Sequence, residues 1–103
     1  MISLIQQTQP HIAILCRKYD VDRLYLFGSA ATGTFDPAHS DLDFVVSFRH
    51  RTPSGEYASR YLGLAEDLER LLKRSVDLIT TEAIHNLYFR QELEASRQLI
   101  YAA

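Results

Sequence analysis

Asp41 and Asp43 stand two residues apart in SDLDFVV, a third carboxylate, Asp77, lies in VDLIT, and Gly28-Ser29 closes LYLFGS with an eleven-residue gap before Asp41. Carboxylates held within a few ångströms repel one another and do not all ionise without a cation. A hard divalent ion with oxygen ligands, Mg²⁺ or Mn²⁺, is the natural partner. Two such ions activate an attacking hydroxyl and stabilise a leaving phosphate. Glycine lets a backbone come close to a ligand, and the opening of a helix favours phosphate. A lone DxD is ordinarily solvated polar sequence, and a lone Gly-Ser is ordinarily a turn. In combination, with a third Asp in the next strand, they indicate a nucleoside triphosphate site.

The surrounding elements must bring these residues together. Residues 22–27 and 42–48 read as strands, rich in large apolar and aromatic types. Alternation places Asp41, Asp43, Val45 and Ser47 on one face of the second strand, and Leu42, Phe44, Val46 and Phe48 on the other. Between the strands, Ser29 reads as near the N-cap of a short helix that Gly33 ends, followed by an Asp36-Pro37 turn. This connection is short, so the chain reverses and the end of strand one lies beside the start of strand two. Thr52-Pro53 suits an N-cap and first helical position. Tyr57, Tyr61, Leu64, Leu68 and Leu71 then step by three and four, an amphipathic helix ending in Lys73-Arg74. The third strand, residues 75–80, follows that crossover and so runs parallel to the second. Asp77 therefore joins Asp41, Asp43 and Gly28-Ser29 at one edge of the sheet. Residues 2–19 read as helical, with Leu4, Thr8, Ile12, Leu15 and Tyr19 on one face. Pro10 implies two pieces or one kinked helix, firmest from Pro10 to Tyr19, with Asp20 in the following turn. The remainder, residues 82–101, reads as a closing helix with Phe89, Leu93, Ser96 and Ile100 on one face. The expected fold is α/β (α+β): a small mixed sheet of three strands or slightly more, flanked by about four helices.

Composition bounds the rest. The chain has 103 residues, enough for one domain (1–103) with a modest core and little room for a second lobe. Its net charge of −2 argues against a nucleic-acid binder held by bulk electrostatics. Cys16 is the sole cysteine, which leaves no intrachain disulfide and no cysteine-based zinc site. His11, His39, His50 and His85 show no metal-binding spacing. No apolar run approaches the roughly 20 residues of a bilayer span, and the N-terminus lacks a signal-peptide pattern. A reducing cytoplasm is the expected location.

These motifs resemble those of the minimal nucleotidyltransferases (MNT) of the DNA polymerase β-like superfamily, the antitoxin partners of HEPN-domain toxins. LYLFGSAATG is similar to the family's strand and GSxARG turn, SDLDFVV to its metal-binding strand, VDLIT to the strand with the third carboxylate, and HNLYFRQELEASRQLIY to its closing helix. The resemblance covers nearly the whole chain. It implies a polymerase β-like nucleotidyltransferase fold and a two-Mg²⁺ enzyme that transfers AMP from ATP to a tyrosine of a cognate HEPN RNase toxin, releasing pyrophosphate. On that resemblance Gly28 and Ser29 hold the β- and γ-phosphates, Asp41 and Asp43 hold both metals, and Asp77 binds the catalytic metal and helps deprotonate the acceptor. It also implies a hetero-oligomer with the toxin, while the net charge and the lack of a long apolar run lead to the expectation of no direct nucleic-acid or membrane contact.

Thr32 departs from the pattern, standing where the family has arginine. Loss of a guanidinium removes a fixed positive charge and up to five donors. Lys73 and Arg74, at the same edge as Asp77, are candidates to compensate, although helix capping alone accounts for them. The departure keeps open a second reading, an antitoxin that neutralises its toxin by direct binding with little or no catalysis. A polymerase or small-molecule nucleotidyltransferase fits less well, because such relatives generally add domains that grip the acceptor. The aromatic closing segment (Tyr88, Phe89, Tyr101) offers a partner surface, unless its rings pack on the sheet.

Overall fold

The computed structural model describes residues 2–33, 36, 40–49 and 55–103. The elements run α1 (Ser3–Lys18), β1 (Val21–Phe27), α2 (Ser29–Thr32), β2 (Leu42–Phe48), α3 (Gly55–Leu72), β3 (Val76–Thr80), a 3₁₀ turn (Thr81–Ala83), α4 (Leu87–Ser96) and β4 (Gln98–Ala102). The four strands form one mixed sheet in the order β3-β2-β1-β4. β1 and β2 are antiparallel, with Phe27 opposite Asp43. β2 and β3 are parallel, with Asp43 opposite Asp77. The reversal and the crossover expected from the connectivity are both present.

The main core lies on the face of β2 that carries Leu42, Phe44, Val46 and Phe48, each at most 1% exposed. α1 and α3 cover it with Ile5, Ile12, Cys16, Leu64, Leu68 and Leu72. The helices approach closely at Gly63, where an added Cβ would stand 2.6 Å from the Tyr19 ring. Tyr19 in turn donates its hydroxyl to Asp67. Leu68 is fully buried, and Leu68→Ala is expected to cost about 2–5 kcal/mol through lost transfer energy and residual cavity. Urea denaturation checks this: the midpoint should fall with the slope unchanged.

Of the two forms expected for residues 2–19 the single helix is present, and the expected buried face of that helix and the expected end of α3 are corrected. α1 is one helix with Pro10 inside it, because Ile5 and Ile12, both fully buried, pin the turns on either side of the proline. Its buried stripe is Ile5, Ile12 and Cys16. Of the face expected from periodicity only Ile12 is buried, with Leu4, Leu15 and Tyr19 packing at the core's margin. α3 stops at Leu72, just before the Lys73-Arg74 pair that was expected to end it. Lys73 takes a left-handed conformation (φ 55°), and its N–H closes the helix on Glu69 O at 2.8 Å. The Thr52-Pro53 cap and the Pro37 turn lie outside the described residues.

The largest correction concerns the closing segment, which is not one helix. Asn86 caps α4 by accepting from Phe89 N at 3.1 Å, and the helix ends at Ser96. QLIYA then becomes β4, antiparallel to the outer edge of β1. The supposed stripe is split between the two faces of the sheet. Leu93 and Phe89 pack with Val45, Ile84, Tyr25, Phe27 and Ile79 beneath α4, whereas Ile100 and Tyr101 join the main core. Hence Val45 and Ser47 are buried although they share the face of Asp43. Of the three aromatics offered as a partner surface, Phe89 and Tyr101 pack on the sheet and Tyr88 is 82% exposed. Among the described residues no helix is long and apolar enough to cross a membrane.

Candidate active site

Phe27, Asp43 and Asp77 lie in one row across β1, β2 and β3. Register partners project to the same face, so the two carboxylates are neighbours on the face that α4 shares. Asp41 immediately precedes β2 and is exposed, as is Asp77. Asp43 is half-buried, and its carboxyl is held above the usual range, first by burial and then by the charges of Asp77 and Asp41. On that face lies an apolar floor: Phe27, the register partner of Asp43, packs against Phe89 of α4 with ring centroids 6.0 Å apart. That floor has no local signature, since it requires α4 to fold back over the end of β1.

Gly28 follows Phe27 and has φ 70° and ψ −152°, a region essentially restricted to glycine. A Cβ there would collide with Asp43 Oδ2 and stand 3.2 Å from its Cγ. The turn and the central carboxylate are thus in direct contact, and the glycine is demanded twice over. Gly28 is the N-cap of α2 and Ser29 its first helical residue, one position on from the cap expected for Ser29. α2 is a single turn. Ala31 N, Thr32 N and the Thr32 hydroxyl all donate to Gly28 O at 3.1 Å, so Thr32 folds back on the turn. Gly33, at φ 87°, ends it.

Lys73 and Arg74 reach the same end of the sheet, because Ser75 O accepts from Leu42 N at 3.1 Å just before Leu42 and Val76 pair. Arg49 lies at the opposite end of β2, as its position implied, and Arg51, His39 and His50 lie outside the described residues. Among the described residues the site is an open rim, with Asp41 and Asp77 exposed. Two clefts lie elsewhere: about 360 Å³ between α1 and α3 and about 460 Å³ beside β3 and α3.

The donor set suits a hard cation: oxygen ligands only, with one carboxylate destabilised by its neighbours' charge. Among the described residues no three acidic, histidine or cysteine side chains are already gathered around one point. The rim therefore presents an electrostatic demand for a cation rather than a finished cage.

Residues 10–100 match the nucleotidyltransferase domain family, and the chain belongs to it. A Methanocaldococcus jannaschii protein named "Putative protein adenylyltransferase MJ1379" is 44% identical over 92 residues, covering 88% of this chain and 86% of that one. The fold is that of the minimal nucleotidyltransferases. A structure described as a putative minimal nucleotidyltransferase superposes with a TM-score of 0.75 at 24% identity, covering 94% of this chain and 95% of the other. The tri-AMPylated HEPN toxin of Shewanella oneidensis in complex with MNT antitoxin gives a TM-score of 0.66 at 20% identity, covering 96% of this chain and 73% of the matched one.

Proposed function

We propose that this chain is a protein adenylyltransferase, an antitoxin that transfers AMP from ATP to a tyrosine hydroxyl of a cognate HEPN RNase toxin. The observation that carries the chemistry is the pairing of Asp43 with Asp77 directly beside the Gly28 turn. The acceptor class is supported by the relative named an adenylyltransferase and by the fold shared with an antitoxin complex whose toxin carries AMP.

In this reading the backbone of Gly28 and the amide and hydroxyl of Ser29 hold the β- and γ-phosphates at the bare Cα of the turn. Asp41 and Asp43 would hold the divalent ions, two Mg²⁺ with Mn²⁺ as a substitute, and Asp77 would share in holding the catalytic one. Bound there, the metals supply Lewis-acid stabilisation of the phosphates and of the attacking oxygen. Asp77, exposed on the outer strand, accepts the proton of the incoming tyrosine. The tyrosine oxygen bonds to the α-phosphorus, the bridge to the β-phosphate breaks, and pyrophosphate leaves. Asp41 and Asp77 are exposed at the rim, and the toxin itself would complete the pocket as a hetero-oligomeric partner. Leu87 and Tyr88, 69% and 82% exposed, immediately precede the Phe89 that packs on Phe27. Use of ATP would suit a cytoplasmic protein, in which residues 1–103 act as one domain.

The test is incubation of the purified pair with Mg²⁺ and labelled ATP. A labelled toxin band that disappears with Asp41→Ala is expected, and no band with the wild-type protein would overturn the assignment. Thr32, turned onto Gly28 O and offering no guanidinium to phosphate, favours the alternative of neutralisation by binding. Rescue of toxin-expressing cells by the Asp41→Ala/Asp43→Ala double variant would establish that alternative as the main mechanism.

A further inference from the structure

α2 is a single turn, and one turn does not hold itself: the last carbonyls of any helix lack intrahelical partners, and a helix this short has no cooperative reserve. Gly28 O and Ser29 O are satisfied within the turn. Ala31 O is satisfied from outside, by Gln98 Nε2 at 3.3 Å. Gln98 opens β4 opposite Leu26, two residues before Gly28, and Leu26 and Ala30 both belong to the main core. The fourth strand thus delivers an amide to the inner side of the turn. The geometry also fixes which end of the amide is which, because a carbonyl acceptor demands the NH₂ group. The other end, Gln98 Oε1, is buried with no hydrogen-bond partner among the described residues. A buried unpaired acceptor is destabilising, and an apolar side chain of similar size would avoid that cost.

We propose that Gln98 is a positioning residue, whose amide holds the Gly28–Thr32 turn in the conformation that receives the triphosphate. The inference rests on the nucleotide site proposed above. It assigns β4 a role in the site although β4 contributes no group that touches substrate. A merely structural glutamine would raise stability. A positioning glutamine sacrifices stability to restrain the turn, and the two can be separated.

Gln98→Leu removes the donor and the unpaired acceptor together; Gln98→Glu keeps the length and polarity but turns the donor into an acceptor facing Ala31 O. Three quantities are measured on each: thermal midpoint, amide hydrogen exchange at residues 31–33 without nucleotide, and the Kd for Mg²⁺·AMP-PNP. Gln98→Leu exchanges one unpaired acceptor, Gln98 Oε1, for another, Ala31 O, so it is expected to melt close to the wild-type temperature, to exchange faster than wild type at residues 31–33 with β1 unchanged, and to bind AMP-PNP about tenfold more weakly, the lower end for loss of a supporting hydrogen bond behind a ligand-binding group. Gln98→Glu should reproduce the faster exchange and the weaker binding. Unchanged exchange at residues 31–33, or acceleration across the whole sheet with a lower melting point, would overturn the proposal. Failure of the wild-type protein to bind AMP-PNP would instead count against the nucleotide site, while the exchange data would still decide whether Gln98 restrains the turn.

Discussion

Asp43→Asn is expected to reduce AMP transfer below detection while leaving the fold intact. Asp43 is the middle of the row: it faces Asp77 across one strand pair, Phe27 across the other, and touches Gly28. Asparagine has the same shape but no charge for a cation, so the loss should exceed the roughly 10- to 100-fold that removing an outer-shell partner brings. Retention of more than about a tenth of the wild-type rate would place Asp43 outside the inner ligands. The stability effect has the opposite sign. Burial and the charges of Asp77 and Asp41 hold the Asp43 carboxyl above its ordinary value, so its ionised form opposes folding. That penalty applies above the raised pKa and fades as pH falls and the group protonates. Without metal, Asp43→Asn should therefore melt at or above the wild-type temperature at neutral pH, and the difference should shrink in acid. A site that weakens the fold where it binds best is the usual trade of function against stability.

Gly28→Ala is expected to cripple both turn and site. Its backbone region costs a non-glycine residue about 1–3 kcal/mol, and the new methyl would meet the Asp43 carboxylate. Either the turn or Asp43 must move. Nucleotide affinity and transfer should both collapse, with a melting midpoint lower by at least about 4–8 °C, the shift that 1 kcal/mol produces in a domain of this size. Gly33→Ala is the matched control. Gly33 also has positive φ, but nothing among the described residues lies within 4 Å of an added Cβ. It should share the backbone penalty and keep most of the activity. Equal losses in the two variants would show that the contact with Asp43 is not what makes Gly28 necessary.

The positions of Asp41, Asp43 and Asp77 at one sheet edge followed from connectivity, because a short reversal and a helical crossover leave few ways to arrange three strands. The faces of β2 also followed from alternation. The closing segment did not. QLIYA is five residues long, and helical and extended periods are indistinguishable over so short a run. What makes it a strand is the outer edge of β1, whose unpaired backbone groups demand a partner, and that edge exists only once β1 and β2 have paired. α1 misled for a related reason: three- and four-residue spacing permits overlapping stripes, and contact with α3 selected the one containing Ile5 and Cys16.

The amino-acid sequence by itself determined the chemistry, because a DxD at a strand start, a Gly-Ser turn and a third Asp are local choices of residue type at fixed spacing. Only the tertiary structure decided how that chemistry is held. The Phe27–Phe89 floor beside Asp43, the carboxylate against the bare Gly28 Cα, and the Gln98 amide on the turn each join residues distant in the chain. Their energies arise from burial and contact, which no single segment carries.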